Sequence, residues 1–523
     1  MTTIDDLPDE VLEFIINLLP PYRDVEHCQL VCKRWADLVR NVRFRKTITF
    51  QRAMTESNLC WKKWQSADTR TPAIAGRYSH SATVYKSTMY VFGGGSSEVT
   101  TFNDLWAFNL SSRTWNRCNS HGAHPYPSPK ARATMVSHEE RLIVFGGLRY
   151  PPSYPPYQRV NLFDELHVYN LRDKHWIFPR ISTPWPPAMA GHSATIHGRE
   201  MVIFGGLQET PLYVACSNDV WCLDLDTFIW RLQETSSVKP APRIDHYQIR
   251  LNSENLLIAG GLGGVNNPFT DMWLLTLSRT SAWTWREIPV RKKKWSATRM
   301  WTNPSCYIDQ KLIVLGQNSS LPKDLEITHQ MRITQQIQRT NANQETHGLR
   351  NPHQEVPASG NRLRAQVAEP PAEPRGVQHH NVPRAAPNHH MGMMAFRDSC
   401  NRQEWRDRRL LVLQKREQEL QARRGMPQPA PKLLSAKKPR QNCETVFICD
   451  LSRVLDAHEP YAEWLETREG GVFPGAPLKT ILSTLVVGNG ELIMFGGLEK
   501  HANQGSYSAN NHLHFMTVPH SVI

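Results

Sequence analysis

The chain has 523 residues, 40% of them hydrophobic, and a formal net charge of +13, which suits one large domain with additional segments. It contains no run of about 18 apolar residues, so we expect no membrane-spanning helix, and the acidic start Met1–Glu10 is unlike a signal peptide. Its ten cysteines form no C-x-x-C pair. This argues against a zinc site or a disulfide framework and favours the cytoplasm or nucleus.

Three short helices are predicted in the first forty residues. Leu7–Glu10 places proline and acidic residues in a first helical turn, where they suit the positive end of the helix dipole. Pro20-Pro21 ends this helix, Asp24 can cap a second helix over Val25–Val31, and a third helix begins after Cys32. So small a module cannot bury a good core alone. It is therefore expected to dock onto another protein.

The motifs of this segment resemble the F-box. LPDEVL, DV and VCKRW occur in the order and at the spacing of that family. The resemblance implies that residues 1–45 bind the Skp-type adaptor of a cullin–RING ubiquitin ligase. The basic and then polar segment that follows, residues 46–57, is predicted to be a linker, with a short helix as the alternative. The resemblance also implies adaptor contacts at Leu7, Pro8, Glu10, Leu12, Val25, Val31, Cys32 and Trp35. Alternatively, these apolar residues fill only the core of the module itself, Trp35 and Val31 first among them.

A short apolar strand that ends in glycines recurs along the rest of the chain. Apolar residues rich in Val, Ile and Phe predict a strand buried on both faces. A glycine doublet allows positive φ and the close approach of a bulky group. The copies, the fifth of them weaker, are Met89–Gly95, Leu142–Leu148, Met201–Leu207, Leu256–Leu262, Leu312–Gln317 and Leu492–Leu498.

Each clear copy is preceded by a short strand and followed by an Asp or Asn turn, another strand and a Trp. Four short antiparallel strands make one propeller blade, and the spacing and motifs resemble the kelch repeat. We therefore predict a mainly β fold: a six-bladed kelch propeller preceded by a small three-helix F-box. The blades occupy residues 58–317 and 443–523, with a long disordered insertion in blade five.

The last two blades depart from the pattern. Blade five has Gly316-Gln317 in place of the doublet, and its third strand is predicted much later, at Thr445–Leu451, followed by Trp464. Blade six ends without a Trp. The segment Cys60–Trp64 is the right type to supply its outer strand. Closing the ring in this way would hide sheet edges that an open fan leaves unpaired.

The insertion, residues 318–442, is rich in Gln, Asn, His, Pro, Ala and Arg, with roughly 21 Lys and Arg against about 11 Asp and Glu. Such a composition cannot bury enough apolar surface to fold, so disorder is predicted. Within it, Arg402–Arg424 reads as a charged helix. Contact with RNA or an acidic partner is one interpretation of this helix. A solvated helix is the simpler one, and nucleic acid is not expected as a partner.

A target site is predicted at one mouth of the central channel. In kelch propellers, loops such as Gly147–Phe163 and those before the first strands surround this mouth, and Tyr and Arg are favoured at binding hot spots. The alternative is a stiff solvated loop with ordinary turn residues. The candidates are Arg77, Tyr78, Arg132, Tyr150, Tyr154, Tyr157, Arg159, Arg243, Trp295 and Arg299.

No catalytic constellation is recognisable. The sequence shows no Ser-His-Asp arrangement, phosphate-binding glycine loop or RING-like Cys/His spacing, so we expect neither an enzyme nor a cofactor or metal. His80, His192 and His246 occupy equivalent blade positions. We interpret them as repeat residues that bond the backbone between blades.

The resemblance is to proteins with just one F-box and a kelch domain. It implies a non-catalytic substrate receptor of an SCF ubiquitin ligase, with the adaptor on the F-box and an unidentified target protein on the propeller. Two alternatives stay open. One is a kelch scaffold for cytoskeletal or chromatin partners that does not lead to degradation, and the other is nucleic-acid binding by the basic insertion.

Overall fold

A computed structural model describes most of the chain outside the insertion. The described residues are 4–19, 21–65, 73–98, 100–119, 126–150, 160–180, 184–209, 214–264, 267–278, 280–316, 443–467, 471–500 and 507–519. The predicted disordered segment, 318–442, lies outside these ranges, as do Tyr154, Tyr157 and Arg159.

The N-terminal part consists of a 3₁₀ turn, Ile4–Asp6, and three helices: α1 (Asp9–Asn17), α2 (Arg23–Gln29) and α3 (Lys33–Thr55). One face of each helix contributes to a small common core, because apolar residues recur at helical spacing. The core residues are Leu12, Ile16, Val25, Trp35, Leu38, Val39 and Val42. Within the described ranges, no helix is long and apolar enough to cross a membrane.

Helix α3 runs through most of the segment 46–57 that was predicted as a linker. Phe50, Ala53 and Met54 continue the helical spacing of Val42, and no Gly or Pro interrupts the run. All three are buried against the propeller, in a cluster formed by blades five and six. The second half of α3 is therefore part of the propeller core, since its apolar face is covered there.

The propeller has six blades, counted here in chain order, as predicted. Their strands are antiparallel within each blade. The strands are Ser81–Tyr85, Thr88–Phe92, Leu105–Asn109 and Thr114–Arg117 in blade one; Thr134–His138, Arg141–Phe145, Leu166–Asn170 and His175–Ile177 in blade two; Ser193–His197, Glu200–Phe204, Val220–Asp224 and Trp230–Gln233 in blade three; Tyr247–Arg250, Asn255–Ala259, Met272–Thr276 and Thr284–Ile288 in blade four; Ser305–Ile308, Lys311–Gly316, Thr445–Asp450 and Ala462–Trp464 in blade five; and Thr484–Val487, Glu491–Phe495 and Leu513–Thr517 in blade six.

The Trp of a fourth strand packs against the previous blade. Trp230 of blade three lies 4.7 Å, between ring centroids, from Phe145, the residue before the doublet of blade two. Trp285 lies 5.1 Å from Phe204 in the same relation. Tilted aromatic pairs of this kind add to the energy of burial. The Phe-Gly-Gly…Trp pattern is thus a contact between blades.

Blade six is closed by the strand that follows α3. Cys60–Lys63 pairs antiparallel with His514–Thr517, and this closure agrees with the sequence prediction. Blade five gains an additional outer strand, because Val290–Arg291 pairs parallel with Ala462–Trp464. Both additions cover edges that would otherwise expose unpaired backbone groups.

The two ends of the ring differ. Since the strands alternate in direction, the turns between first and second strands and between third and fourth strands lie at one end of the ring. We call this end the helix face, because α2 contacts Ser87 and Ser111 there and Tyr22, the residue before α2, contacts Asn489. The other turns share the ribbon face. Short ribbons rise from it: Leu148–Arg149 with Asn161–Leu162; Met189–Ala190, Leu207–Glu209 and Val214–Cys216; Leu262–Gly263 with Asn267–Pro268; and Thr480–Ile481, Leu498–Lys500 and Tyr507–Ala509.

Candidate interaction surfaces

The helical part carries an apolar surface that neither its own core nor the propeller covers. Half of the exposed large hydrophobic residues in the described part of the chain belong to it. On α1, Phe14 is 63% exposed, and on α3, Phe44 is 67% exposed. The full set is Ile4, Val11, Phe14, Leu18, Leu30, Val31, Phe44 and Ile48. Concentrated apolar exposure of this kind marks a protein interaction site.

The residues predicted to contact the adaptor divide into two groups. Leu12, Val25 and Trp35 are buried in the helical core, and Leu7 packs half-buried against it. Their side chains hold the helices together, which is the alternative that the sequence left open. The other four predicted residues are exposed: Pro8, Glu10, Val31 and Cys32. Val31, which was expected among the first to be internal, is 61% exposed.

Several exposed residues of this surface were missed from the sequence. Val11, Phe14 and Leu18 recur on α1 at i, i+3 and i+7, on a second stripe beside the buried Leu12 and Ile16. A helix with two apolar stripes needs two partners. This pattern was visible in the sequence, and it would have added the three residues to the predicted contacts.

In the described residues, the ribbon face, where the target site was predicted, is closed around the channel axis by apolar packing. Leu148, Leu207, Leu262 and Leu498 each follow a glycine doublet directly, and all four are buried in one cluster. The cluster also contains Tyr78, Tyr150, Ile244 and Ile481 and draws on five of the blades. The residue after the doublet therefore fills the mouth, so a target would meet the ribbons and not an open channel.

Arg77 and Arg243, both predicted at the mouth, are completely buried. Arg243 donates to the two carboxylate oxygens of Asp271 over 2.7 and 2.8 Å and to the Gly260 carbonyl over 2.8 Å. Arg77 bonds Asp104 in the same way over 2.8 and 3.1 Å. Burial alone would raise the pKa of Asp104, but its bonds to Arg77 hold that pKa below the usual value. These arginines stabilise turns within their own blades and cannot reach a target.

Arg132 also forms an ion pair within the propeller. Its Nη1 lies 3.0 Å from Oδ2 of Asp245, and the pair passes over Gly191. Gly191 has φ +66°, and a Cβ there would lie 2.9 Å from Asp245 Oδ1, so only glycine fits. Tyr78 and Tyr150 stack beside it with ring centroids 5.9 Å apart, and both are buried. None of these predicted contacts presents a free surface.

Trp295 and Arg299, also predicted at the mouth, stay half-buried. Trp295 packs against the core between blades four and five. Burial lowers the pKa of Arg299, and the neighbouring Tyr507 acts in the opposite direction. Of the described candidates, these two and Arg132 are the partly exposed ones.

Beneath the apolar cluster, the channel narrows to a ring of backbone hydrogen bonds. Ser79, Arg132, Gly191, Asp245 and Leu482 all have positive φ. The Arg132 N–H donates to the Ser79 carbonyl over 2.9 Å, and the Asp245 N–H donates to the Gly191 carbonyl over 2.8 Å. The polar cavity that these residues line has a volume of about 330 Å³. The ring fixes the spacing of the blades at the axis.

The three repeat histidines join neighbouring blades. Nε2 of His192 lies 2.9 Å from the Thr134 hydroxyl, and Nε2 of His80 lies 2.8 Å from the Thr484 hydroxyl. His246 meets Ser193 likewise. They bond side-chain hydroxyls, whereas backbone partners were predicted. Burial lowers the pKa of His80 and His192 to about 3, so both stay neutral at pH 7. In the described ranges, no group of three or more His, Cys, Asp or Glu is arranged to hold a metal.

Two family models match the chain. An F-box-like model matches residues 4–51, which covers α1, α2 and most of α3. A model described as FBX42, beta-propeller domain, matches residues 77–285, which covers blades one to four. The two matches therefore fall on the two parts that the structure shows.

Curated relatives share the repeat region. Acyl-CoA-binding domain-containing protein 4 of Arabidopsis thaliana is 27% identical over 54% of this chain and 41% of its own length. Kelch domain-containing protein 1 of Mus musculus is 25% identical over 49% of this chain and 64% of its own length. The chain thus spans less than two thirds of either relative. The helices are thus similar to the F-box and the ring to a kelch-type β-propeller, in the order that the sequence predicts.

Proposed function

We propose that this chain is the substrate-recognition subunit of an SCF ubiquitin ligase, not itself catalytic. The helices bind the Skp-type adaptor and the propeller binds a target protein. The ligase then brings a ubiquitin-charged conjugating enzyme close to lysines of the target. The rate gain comes from high effective concentration and orientation, so the chain needs no reactive side chain of its own.

The exposed apolar surface of the helices carries this proposal. The helices already pack on the propeller through Tyr22, Phe50 and Met54, which are each about 1% exposed. Phe14 and Leu18 line a cleft between the helices and blade six but stay 63% and 50% exposed, and Val31 is 61% exposed. Since they stay uncovered after the intramolecular contact is made, a second protein is needed to bury them.

The ribbon face is the surface we assign to the target. It lies at the opposite end of the strands from the helices, so adaptor and target do not compete for space. The strand ends on either side of the insertion also lie at this face, because Gly316 ends the second strand and Thr445 begins the third strand of blade five. Since Arg77 and Arg243 are buried, recognition of an acidic motif by these two arginines is ruled out.

The proposal is tested by adaptor capture with the full chain. Val31→Asp places a charge in the exposed apolar surface and is expected to weaken binding of purified Skp-type adaptor at least tenfold, as measured by calorimetry. The matched control is Val238→Asp, because Val238 is 67% exposed on the propeller. Equal adaptor affinity for both variants, or no adaptor binding by the unmodified chain, would favour the non-degradative scaffold instead.

A further inference from the structure

The helices are mounted on the propeller at two separate places. The first mount is the second half of α3, whose Phe50 and Met54 lie in the core between blades five and six. The second is Tyr22, the residue before α2, which is 1% exposed and packs in a cluster of blades one and six. The two mounts therefore reach different neighbouring blades.

Glu491 is the centre of the second mount. This carboxylate, only 2% exposed, stands at the start of the second strand of blade six. The Tyr22 hydroxyl donates to it, and Arg113 of blade one approaches it to 3.2 Å. The Arg113 guanidinium also lies 4.1 Å from the centroid of the Phe515 ring. One buried carboxylate thus connects the helices with blades one and six.

Tyr22 stays protonated and remains a donor in this contact. Burial raises its pKa, and the charge of Glu491 raises it further. The same hydroxyl accepts a hydrogen bond from the Asn489 N–H over 3.2 Å, while the Asn489 side chain donates to the Pro21 carbonyl over 3.1 Å. Charge-assisted bonds of this kind are directional and strong. They fix the chain at the turn between α1 and α2.

Two hydrogen bonds of α2 to blade one also hold the helices: Ser87 donates to Glu26 over 2.8 Å, and the Arg23 N–H donates to Ser111 over 3.0 Å. Helix α1 itself stands off from the propeller. A cleft of about 520 Å³ separates α1 and α3 from blade six. Its lining includes Phe14 on the helix side and Val518 on the blade side, so these elements do not pack tightly there. Without the Tyr22–Glu491 contact, α3 and these two hydrogen bonds would have to restrain the helices, and α3 can bend. The buried carboxylate adds a third restraint.

We propose that Tyr22 and Glu491 are positioning residues that fix the orientation of the F-box helices on the propeller. They thereby set the direction in which a bound target faces the ligase. The use of this orientation in ubiquitin transfer rests on the proposed function. The orientation itself is a property of the free chain and is measured without any partner.

The test uses the full chain with spin labels attached to noncanonical amino acids at Lys33 and Glu254, which are both exposed. Pulsed electron paramagnetic resonance is expected to give one narrow distance distribution for the unmodified chain. Tyr22→Phe keeps the ring and the Arg113–Glu491 pair but removes the hydroxyl, and it is expected to broaden the distribution at least twofold. Glu491→Gln is expected to broaden it as well.

The matched control is Glu200→Gln, which alters a carboxylate paired with Arg231 far from the helices and is expected to leave the distribution narrow. A melting curve confirms that each variant is folded. Distributions of unchanged width in both Tyr22→Phe and Glu491→Gln would overturn the positioning role, even if either variant melts at a lower temperature.

A second measurement links orientation to transfer. In an assembled adaptor–cullin–RING complex, the lysines of the chain's own propeller serve as acceptors, and mass spectrometry identifies those modified. The unmodified chain is expected to be modified at few sites and Tyr22→Phe at more, with equal adaptor affinity. An identical pattern would overturn the link to transfer. Failure of the adaptor to bind would instead refute the proposed function, and the distance measurement would still decide the positioning role.

Discussion

The helices and the propeller differ in which side chains they expose and which they bury. The helical part leaves large apolar residues such as Phe14 and Phe44 in solvent. The propeller instead buries charged residues completely, including Arg77, Lys130 and Arg243. In the helices, the described part of the chain leaves more than half of the surface of these two apolar side chains uncovered. In the propeller, the buried guanidinium groups of Arg77 and Arg243 each donate to a carboxylate and to a backbone carbonyl.

This difference distinguishes a docking surface from a scaffold. An exposed apolar stripe lowers its free energy only when another protein covers it, so it signals a partner. A buried ion pair whose hydrogen bonds are made indicates instead a structural role, because each charge is already neutralised by its partner within the protein. Arginine at a predicted binding mouth is therefore informative only once its burial is known.

The largest effect is expected where a buried charge loses its partner. Arg243→Met leaves Asp271 without its cation, although the bond from the Trp273 indole remains, and removes the donor to the Gly260 carbonyl. It should lower the free energy of unfolding by about 3–5 kcal/mol. Guanidinium denaturation measures this. Arg199→Met is the control, because Arg199 pairs with Asp226 on the surface at 78% side-chain exposure. A similar loss in both variants would contradict the contrast between buried and surface charges.

Two phenylalanines of α3 allow the comparison within one helix. Phe50→Ala empties a site in the propeller core and should cost about 3–5 kcal/mol of unfolding free energy. Phe44→Ala removes an exposed ring and should change stability by less than about 0.5 kcal/mol, while weakening adaptor binding. Thermal denaturation and adaptor titration read out the two effects. If Phe50→Ala were as stable as Phe44→Ala, α3 would not belong to the propeller core.

Acid should destabilise the propeller through its histidines. In the folded state the pKa of His192 is lowered to about 3 from an ordinary 6.5, so below pH 6.5 the unfolded chain binds a proton that the folded chain excludes. Stability is then lost as the pH falls from 6.5, by up to about 1.4 kcal/mol per pH unit for this group. Denaturation between pH 7 and 4 should show a shallower slope for His192→Gln. An unaltered slope would show that the pH dependence of stability comes from groups other than His192.

The smallest effect concerns one hydroxyl between blades. Thr134→Val keeps the shape of the side chain but deprives Nε2 of His192 of its partner, and about 1 kcal/mol of unfolding free energy should be lost. Thr114→Val serves as the control, since Thr114 bonds only the exposed Ser112 in a surface turn. The difference between their denaturation midpoints measures the contact.

The sequence predicted the blades, their number and the closing strand because those features repeat. A Phe-Gly-Gly strand and a later Trp recur in register, and the structure shows why: the ring of one packs against the other across blades, as in Phe145 and Trp230. Closure by Cys60–Lys63 followed from counting strands. A local motif that recurs several times in a sequence can be recognised without knowledge of the tertiary packing.

The candidate sites were less predictable, because exposure depends on which elements meet. Nothing local distinguishes Arg243 from a surface arginine, since its partner Asp271 lies 28 positions away. A Leu follows four of the doublets and belongs to the repeat, but its role in filling the mouth depends on the convergence of several blades. For α3, the helical spacing of Phe50 and Met54 was present, and the basic residues before and between them obscured it.

The continuity of α3 with the propeller has a practical consequence for shortened versions of this protein. A version that begins after residue 57 would lack Phe50 and Met54 from the core, and one that begins after residue 64 would also lack the closing strand. Loss of adaptor binding in such a version could then be mistaken for a pure loss of recruitment. Single surface changes such as Val31→Asp separate recruitment from folding, whereas removal of the whole N-terminal region does not.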